Sequence, residues 1–266
     1  MILFRLFAAL IIAFAITPLA VAQSDKDADL AKKLSNPVAD LISVPFQLNY
    51  NEGYASGDGE QWQLNIQPVI PISISHDWNL ISRTILPVIS QDGVIPGEGD
   101  QFGFGATTQS FFFSPKAPTR GGLIWGVGPV LLIPTATDGI ATNQWGAGLT
   151  GVALTQRGPW TVGGLANHIW SVTGNDKDGK ISASFLQPFV SYTTPKATSF
   201  TLNTESTYDW EDKQWSVPVN ALIGQVVELG AQPVQFSLGA RYWAESPDNG
   251  PDGWGARFQM TFLFPK

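Results

Sequence analysis

The sequence predicts an all-β fold, a transmembrane antiparallel β-barrel of about twelve strands with a short N-terminal amphipathic helix. Three observations carry that expectation. Beyond residue 42, apolar and polar residues alternate with period two over most of the chain, as a sheet with one apolar face requires. The turn-rich connections between these runs are alternately short and long, the pattern of a barrel with tight turns at one membrane face and longer loops at the other. Charged residues make up 14% of the chain, against roughly 25% in an ordinary soluble domain, while there are 10 tryptophans. Such a composition suits a surface solvated by lipid and bounded by aromatic belts.

In chain order, Arg5 precedes an apolar run from Leu6 to Ile16, and Ala20-Val21-Ala22 supplies an A-x-A cleavage site, so residues 1–22 are expected to be a signal peptide. The apolar run is too short to cross a bilayer as a helix. Residues 23–41 carry Leu30, Leu34, Val38 and Leu41 at spacings of four, four and three, with Lys32 and Lys33 between them. That spacing predicts one short amphipathic periplasmic segment, interrupted near Pro37, which either blocks the periplasmic end of the barrel or lies on the membrane surface. Residues 42–266 form the barrel, with both mature termini in the periplasm of a Gram-negative cell and the strands in its outer membrane.

The strands are expected at about 42–50, 61–74, 78–89, 102–114, 122–134, 145–156, 160–172, 181–193, 199–209, 215–227, 233–243 and 254–264. Alternation is cleanest in Val44, Phe46, Leu48 and Tyr50, in Trp62, Leu64 and Ile66, and in Phe258, Met260, Phe262 and Phe264. Connections after the even strands are brief, as at Ser75–Asp77 and Arg157–Pro159; those after the odd strands are generally longer, as at Ser90–Gln101 and Ala244–Gly253. The long loops gather most of the acids, among them Glu52, Asp58, Glu60, Asp92, Glu98, Asp100, Asp176, Asp178, Asp248 and Asp252, against Lys177, Lys180 and Lys213. One rim is therefore acidic. All ten tryptophans fall near an expected strand end, where aromatic girdles sit.

Several function classes drop out. A net charge of −7 lacks the basic surplus of a nucleic-acid binder, and the absence of cysteine removes disulfides, thiolate metal sites and cysteine nucleophiles. Gly146-Ala147-Gly148-Leu149-Thr150-Gly151 fits G-x-G-x-x-G but runs on into a strand rather than the helix that would hold a pyrophosphate. Asp176 and Asp178 match a calcium loop in part, yet positions one and twelve would be Gly174 and Phe185, which offer no side-chain oxygen. Only His76 and His168 could act as imidazole bases. Asn167, His168 and Ser171 have the residue types of a barrel phospholipase, but residues three apart on a strand point to opposite faces, so His168 and Ser171 should not meet. No cofactor is expected.

What remains is the inner face. The alternation places Gln63, Asn65, Gln67, Asn203, Glu205, Asn220, Arg241 and Arg257 inward, with Arg83 joining them because an arginine facing lipid at mid-membrane costs about 2–4 kcal/mol. The expected lumen is polar, rich in amides and mildly cationic, and these nine residues are the candidate pore lining. Charged rings of this kind bias ion passage. Faces in the strands between about 78 and 172 cannot be assigned from alternation.

Particular runs resemble a known family. They are Leu30 to Gln47 (LAKKLSNPVADLISVPFQ), Gln67-Pro68-Val69-Ile70-Pro71, Asp77 to Arg83, Phe111 to Lys116, Asn167-His168-Ile169-Trp170 and Arg241 to Pro247. Together they resemble the proteobacterial outer-membrane transporters grouped with the MetA-pathway of phenol degradation barrels, sometimes mislabelled neuromedin U. The resemblance runs from about residue 30 to the end. It implies passage of aromatic compounds. Together with the polar lumen it leads to the expectation of a passive channel for small solutes, small anions or aromatic compounds, whose partners are outer-membrane lipids, lipopolysaccharide, the barrel-assembly machinery and the solute itself. The alternatives are a non-conducting structural or adhesive barrel and, third, a lipid hydrolase. One departure from outer-membrane practice is the ending Phe264-Pro265-Lys266 in place of a terminal aromatic.

Overall fold

The computed structural model describes residues 25–55, 57, 59–95, 97–173 and 179–265. The expected signal peptide, Asp58, and Asp176, Lys177 and Asp178 of the partial calcium-loop match lie outside the described residues. One helix, α1 (Asp25–Leu34), precedes twelve antiparallel strands that close into a barrel. They are β1 (Ile42–Tyr54), β2 (Gly59–Ile66, resuming as Val69–Ser73), β3 (Trp78–Asp92), β4 (Gln101–Phe104, resuming as Thr107–Pro115), β5 (Leu123–Ile133) and β6 (Trp145–Arg157). The second half comprises β7 (Trp160–Thr173), β8 (Ser182–Thr193), β9 (Thr198–Thr204, resuming as Ser206–Asp209), β10 (Gln214–Leu229), β11 (Gln232–Glu245) and β12 (Gly253–Phe264).

Each strand pairs with its chain neighbours, and β1 pairs with β12 from Ile42 opposite Phe264 to Tyr50 opposite Ala256, which leaves no sheet edge. The three interruptions have a common cause, since proline donates no ladder hydrogen bond. Pro68 lies within the break in β2. In the β4 break the Gly105 amide donates to the carbonyl of Pro87, and in the β9 break the Glu205 amide donates to that of Pro218, neither of which has an N–H to return.

The outward face is apolar and exposed along its length: Ile70, Ile72, Phe113, Val127, Leu149, Phe200, Leu202, Ile223 and Leu238 all project from the wall. In water such a surface would be an aggregation liability; in a bilayer it is solvated. Aromatic pairs ring both ends of this band, with Tyr50 on Trp62, Tyr242 on Trp254 and Tyr208 between Trp210 and Trp215 at the long-loop end. Trp78 on Trp125 and Trp160 on Tyr192 mark the short-turn end. Trp243 departs from the girdle expectation. It points into the barrel, where its Nε1 donates to Asn51 Oδ1 at 3.2 Å.

The N-terminal segment occupies the short-turn end of the barrel interior rather than the membrane surface. Asp25 and Asp27 in the first turn of α1 and Lys32 and Lys33 in the last complement the helix dipole, and Lys33 pairs with Asp29 at 2.7 Å. Leu30, Ala31 and Leu41 pack against Ala197, Val226 and Leu263 of the wall. After Leu34 the chain turns about Asn36, whose Oδ1 accepts the Val38 amide at 3.0 Å. The turn splits the expected stripe: Val38 leaves its companions and enters a second apolar cluster inside the barrel. Gly126 permits this approach, for a Cβ there would lie 3.3 Å from Val38 Cγ1 and 3.2 Å from Phe112 Cβ. Polar ties add to the seat, namely Ser35 Oγ to Thr161 Oγ1 at 2.8 Å and Gln156 Nε2 to the Lys32 carbonyl at 2.9 Å.

Candidate functional site

Strand parity brings side chains from distant parts of the sequence to one wall of the lumen. Arg257 of β12 is 2% exposed and grips Glu205 with both Nη atoms, at 2.8 and 2.6 Å, while its Nε donates to Asn49 Oδ1 at 2.7 Å. This is the fork-on-fork geometry in which arginine holds a carboxylate most strongly. Arg241 of β11 reaches the same carboxylate through Nη2 at 3.3 Å, and its guanidinium lies 4.8 Å from the Trp243 ring centroid, a cation–π distance. Arg83 of β3 feels the Glu205 charge but touches a different partner, donating from Nη2 to Gln67 Oε1 at 3.2 Å. Among the described residues of this cluster, two guanidinium groups share one carboxylate and a third lies near it.

Amides surround the cluster. Asn220 donates to Asn203 at 2.9 Å and Gln63 to Asn65 at 2.9 Å, while Asn49 Nδ2 reaches the Gln63 carbonyl at 3.5 Å. Towards the long loops the side chains form a relay: Tyr54 donates to Gln61 at 3.1 Å, Gln61 to Gln91 at 3.0 Å, Gln91 to Gln101 at 2.6 Å, and Gln101 to Glu98. Tyr54 enters the lumen because a bulge at Gly53, with φ of 82°, shifts the register between Glu52 and Tyr54.

The opposite wall corrects the expectation of a polar lumen. Ile81, Phe112, Val152, Leu154 and Leu165 are buried together with Val38, and Val69, Ile124, Phe185 and Phe189 pack against them. One arc of the interior, from β9 through the β12–β1 seam to β2, is polar. The arc from β3 to β8 carries the apolar cluster, with polar residues such as Arg83, Gln91 and Thr150 set among it. Between the arcs, and bounded towards the short-turn end by the Ser35–Pro37 turn, lies a cavity of about 220 Å³. Arg83, Arg257, Glu205, Gln67 and Phe189 all line it. A wider vestibule of about 940 Å³ opens at the other end, framed by the loop around Asp248 and Asp252.

Of the nine residues expected to line the pore, Gln67, Arg83, Asn203, Glu205 and Arg257 border the cavity, Asn220 bonds Asn203, and the structure brings Arg83, Glu205, Arg241 and Arg257 into one electrostatic cluster. Gln63 and Asn65 stand apart from it in the amide layer. Sequence reasoning missed Gln61, Gln91, Gln101, Tyr54 and Trp243. Gln61 and Trp243 had a usable signal, being in phase with Gln63 and Arg241 respectively. Tyr54 had none, because the bulge reverses its parity.

The Asn167, His168 and Ser171 set is not assembled. Asn167 and Ser171 belong to the inward parity of β7, whereas His168 projects outward beside Trp170, with ring centroids 4.0 Å apart. Its Nδ1 lies 2.7 Å from Ser184 Oγ, which also accepts the Trp210 indole N–H at 2.9 Å. His76 sits in an exposed turn beside Asp77 at 2.7 Å. Among the described residues no group of three or more His, Asp or Glu side chains is placed to hold a metal ion.

No protein-family model and no curated protein sequence matches the chain. Solved structures do match. An outer-membrane channel of Pseudomonas putida F1 is similar with a TM-score of 0.64 at 16% identity, over 84% of this chain and 94% of that one. Outer membrane phospholipase A of Escherichia coli is similar with a TM-score of 0.49 at 10% identity, over 92% of this chain and 99% of that one. The architecture is that of an outer-membrane β-barrel, with the start of β1 and the end of β12 together at the short-turn end.

Proposed function

We propose that this chain is a passive outer-membrane channel for small solutes, anions or aromatic compounds among them, working without a cofactor. The observation that carries the reading is the lumen itself: a closed barrel whose interior holds a cavity lined mainly by amides and hydroxyls, with Arg83, Arg257 and Glu205 and a few apolar side chains such as Phe189 and Val69. A solute would diffuse inward from the acidic vestibule, exchange part of its hydration for the amide layer, and meet Arg83, Arg241, Arg257 and Glu205, whose excess positive charge favours anions. The residue runs resembling the phenol-degradation barrels, and the fold shared with an outer-membrane channel, support the same reading. Lipid and lipopolysaccharide would surround the outer face, and the barrel-assembly machinery would insert it.

The α1 segment seated in the periplasmic end favours a second reading, a structural barrel that conducts nothing. Single-channel recording of the refolded mature chain in a planar bilayer separates the two. Discrete steps with an anion-biased reversal potential, enlarged on deletion of residues 23–41, are expected of the channel. Silence from inserted protein that persists after the deletion overturns it.

A further inference from the structure

Of the three arginines in the lumen, Arg83 alone has no carboxylate within ion-pairing distance among the described residues. Arg257 and Arg241 both hold Glu205. Arg83 makes one hydrogen bond, to the neutral amide oxygen of Gln67, which leaves most of its five donors uncommitted. A guanidinium inside a protein is ordinarily paired, because an uncompensated charge in low dielectric is costly. Here the cluster carries three positive charges against one negative, and the surplus faces a cavity rather than a second acid.

The shape of that cavity restricts what would complete the pairing. Its volume is about 220 Å³, and an apolar cavity of about 150 Å³ already admits benzene. Phe189, Val69 and Pro37 supply apolar lining in the same cavity as Arg83 and Arg257, with Val69 directly opposite Arg83 in the strand ladder, and the Ser35–Pro37 turn also borders the space. A fully hydrated inorganic anion would leave this apolar lining unused, and a neutral ring would leave the guanidinium unpaired.

We propose that this cavity is a binding site for a one-ring aromatic carboxylate, with Arg83 as the anion contact and Phe189 against the ring. The proposal rests on the channel reading for its physiological sense, but binding is measured independently of conduction. The site makes the barrel saturable for this solute class, with a resting position directly above the N-terminal turn.

The test is calorimetric titration of the full mature chain in detergent micelles, against an empty-micelle blank, with benzoate, its neutral isostere benzamide, and acetate. Benzoate is expected to bind at one site per chain and at least tenfold more tightly than either comparator. Arg83→Gln, checked for folding by heat-modifiable gel mobility, is expected to lose at least tenfold in benzoate affinity and to leave benzamide unchanged. Equal binding of benzoate and benzamide overturns the proposal, as does undiminished benzoate binding by a folded Arg83→Gln chain. The isostere comparison is made on the unaltered chain and decides the matter even where the variant does not fold. Benzoate binding without conductance would sink the channel reading and keep the site. Conductance without benzoate discrimination would do the reverse.

Discussion

The polar and apolar arcs of the lumen are built from strands of the same length and the same outward chemistry, yet they differ in what alternates. From β9 round to β2 most inward residues are amides, hydroxyls or charges, as in Gln47, Asn49 and Asn51 against Phe46, Leu48 and Tyr50. From β3 to β8 the inward positions include the apolar cluster Ile81, Phe112, Val152, Leu154 and Leu165, and around these positions both faces are apolar. In a membrane barrel the outer face is always apolar, and contrast therefore depends on the inner residue alone. Loss of alternation is the mark of an inner wall packed with side chains. One arc is bonded by hydrogen bonds and ion pairs, and the other by exclusion of water.

The comparison can be broken most forcefully at Phe112, which is fully buried in the apolar arc. Phe112→Ala is expected to cost about 3–5 kcal/mol, read from urea unfolding in lipid vesicles by tryptophan fluorescence. A loss below about 1 kcal/mol would mean that this arc is wet and that the division is false. Glu205→Gln attacks the other arc. It removes the carboxylate that Arg241 and Arg257 share, at an expected cost of about 2–4 kcal/mol, and shifts the reversal potential further towards anions. A neutral substitution would show the cluster to be freely hydrated. A smaller effect is expected from Gln91→Leu, which cuts the relay between Gln61 and Gln101 and should cost about 1–2 kcal/mol in the same assay. Stabilisation there would mean that apolar packing suits both arcs alike.

The barrel class, the strand boundaries and the inner face of the polar arc were all legible, because each rests on local pattern: period two, turn composition, and loop length. The apolar arc was not, since Leu154 and Thr155, or Leu165 and Ala166, give no contrast from which to tell inside from outside. Trp243 was misplaced by position along its strand although its parity with Arg241 was correct. The meeting of Arg241 with Glu205 depends on barrel curvature across non-adjacent strands, and pairing of that kind leaves no trace in spacing. The seat of residues 25–41 was equally invisible, for an amphipathic stripe does not reveal whether its partner is lipid or Leu263.

That seat has a consequence for the order in which the molecule is made. Leu30, Ala31 and Leu41 precede the first strand, yet one of the residues they pack against, Leu263, belongs to the last. The interior docking of the N-terminus is therefore incomplete until the C-terminal strand is in place, and that strand is finished only by pairing with β1, which follows the docked segment directly. Capture of the leading residues is thus complete only once the cylinder has closed, and the oldest part of the polypeptide waits on the newest.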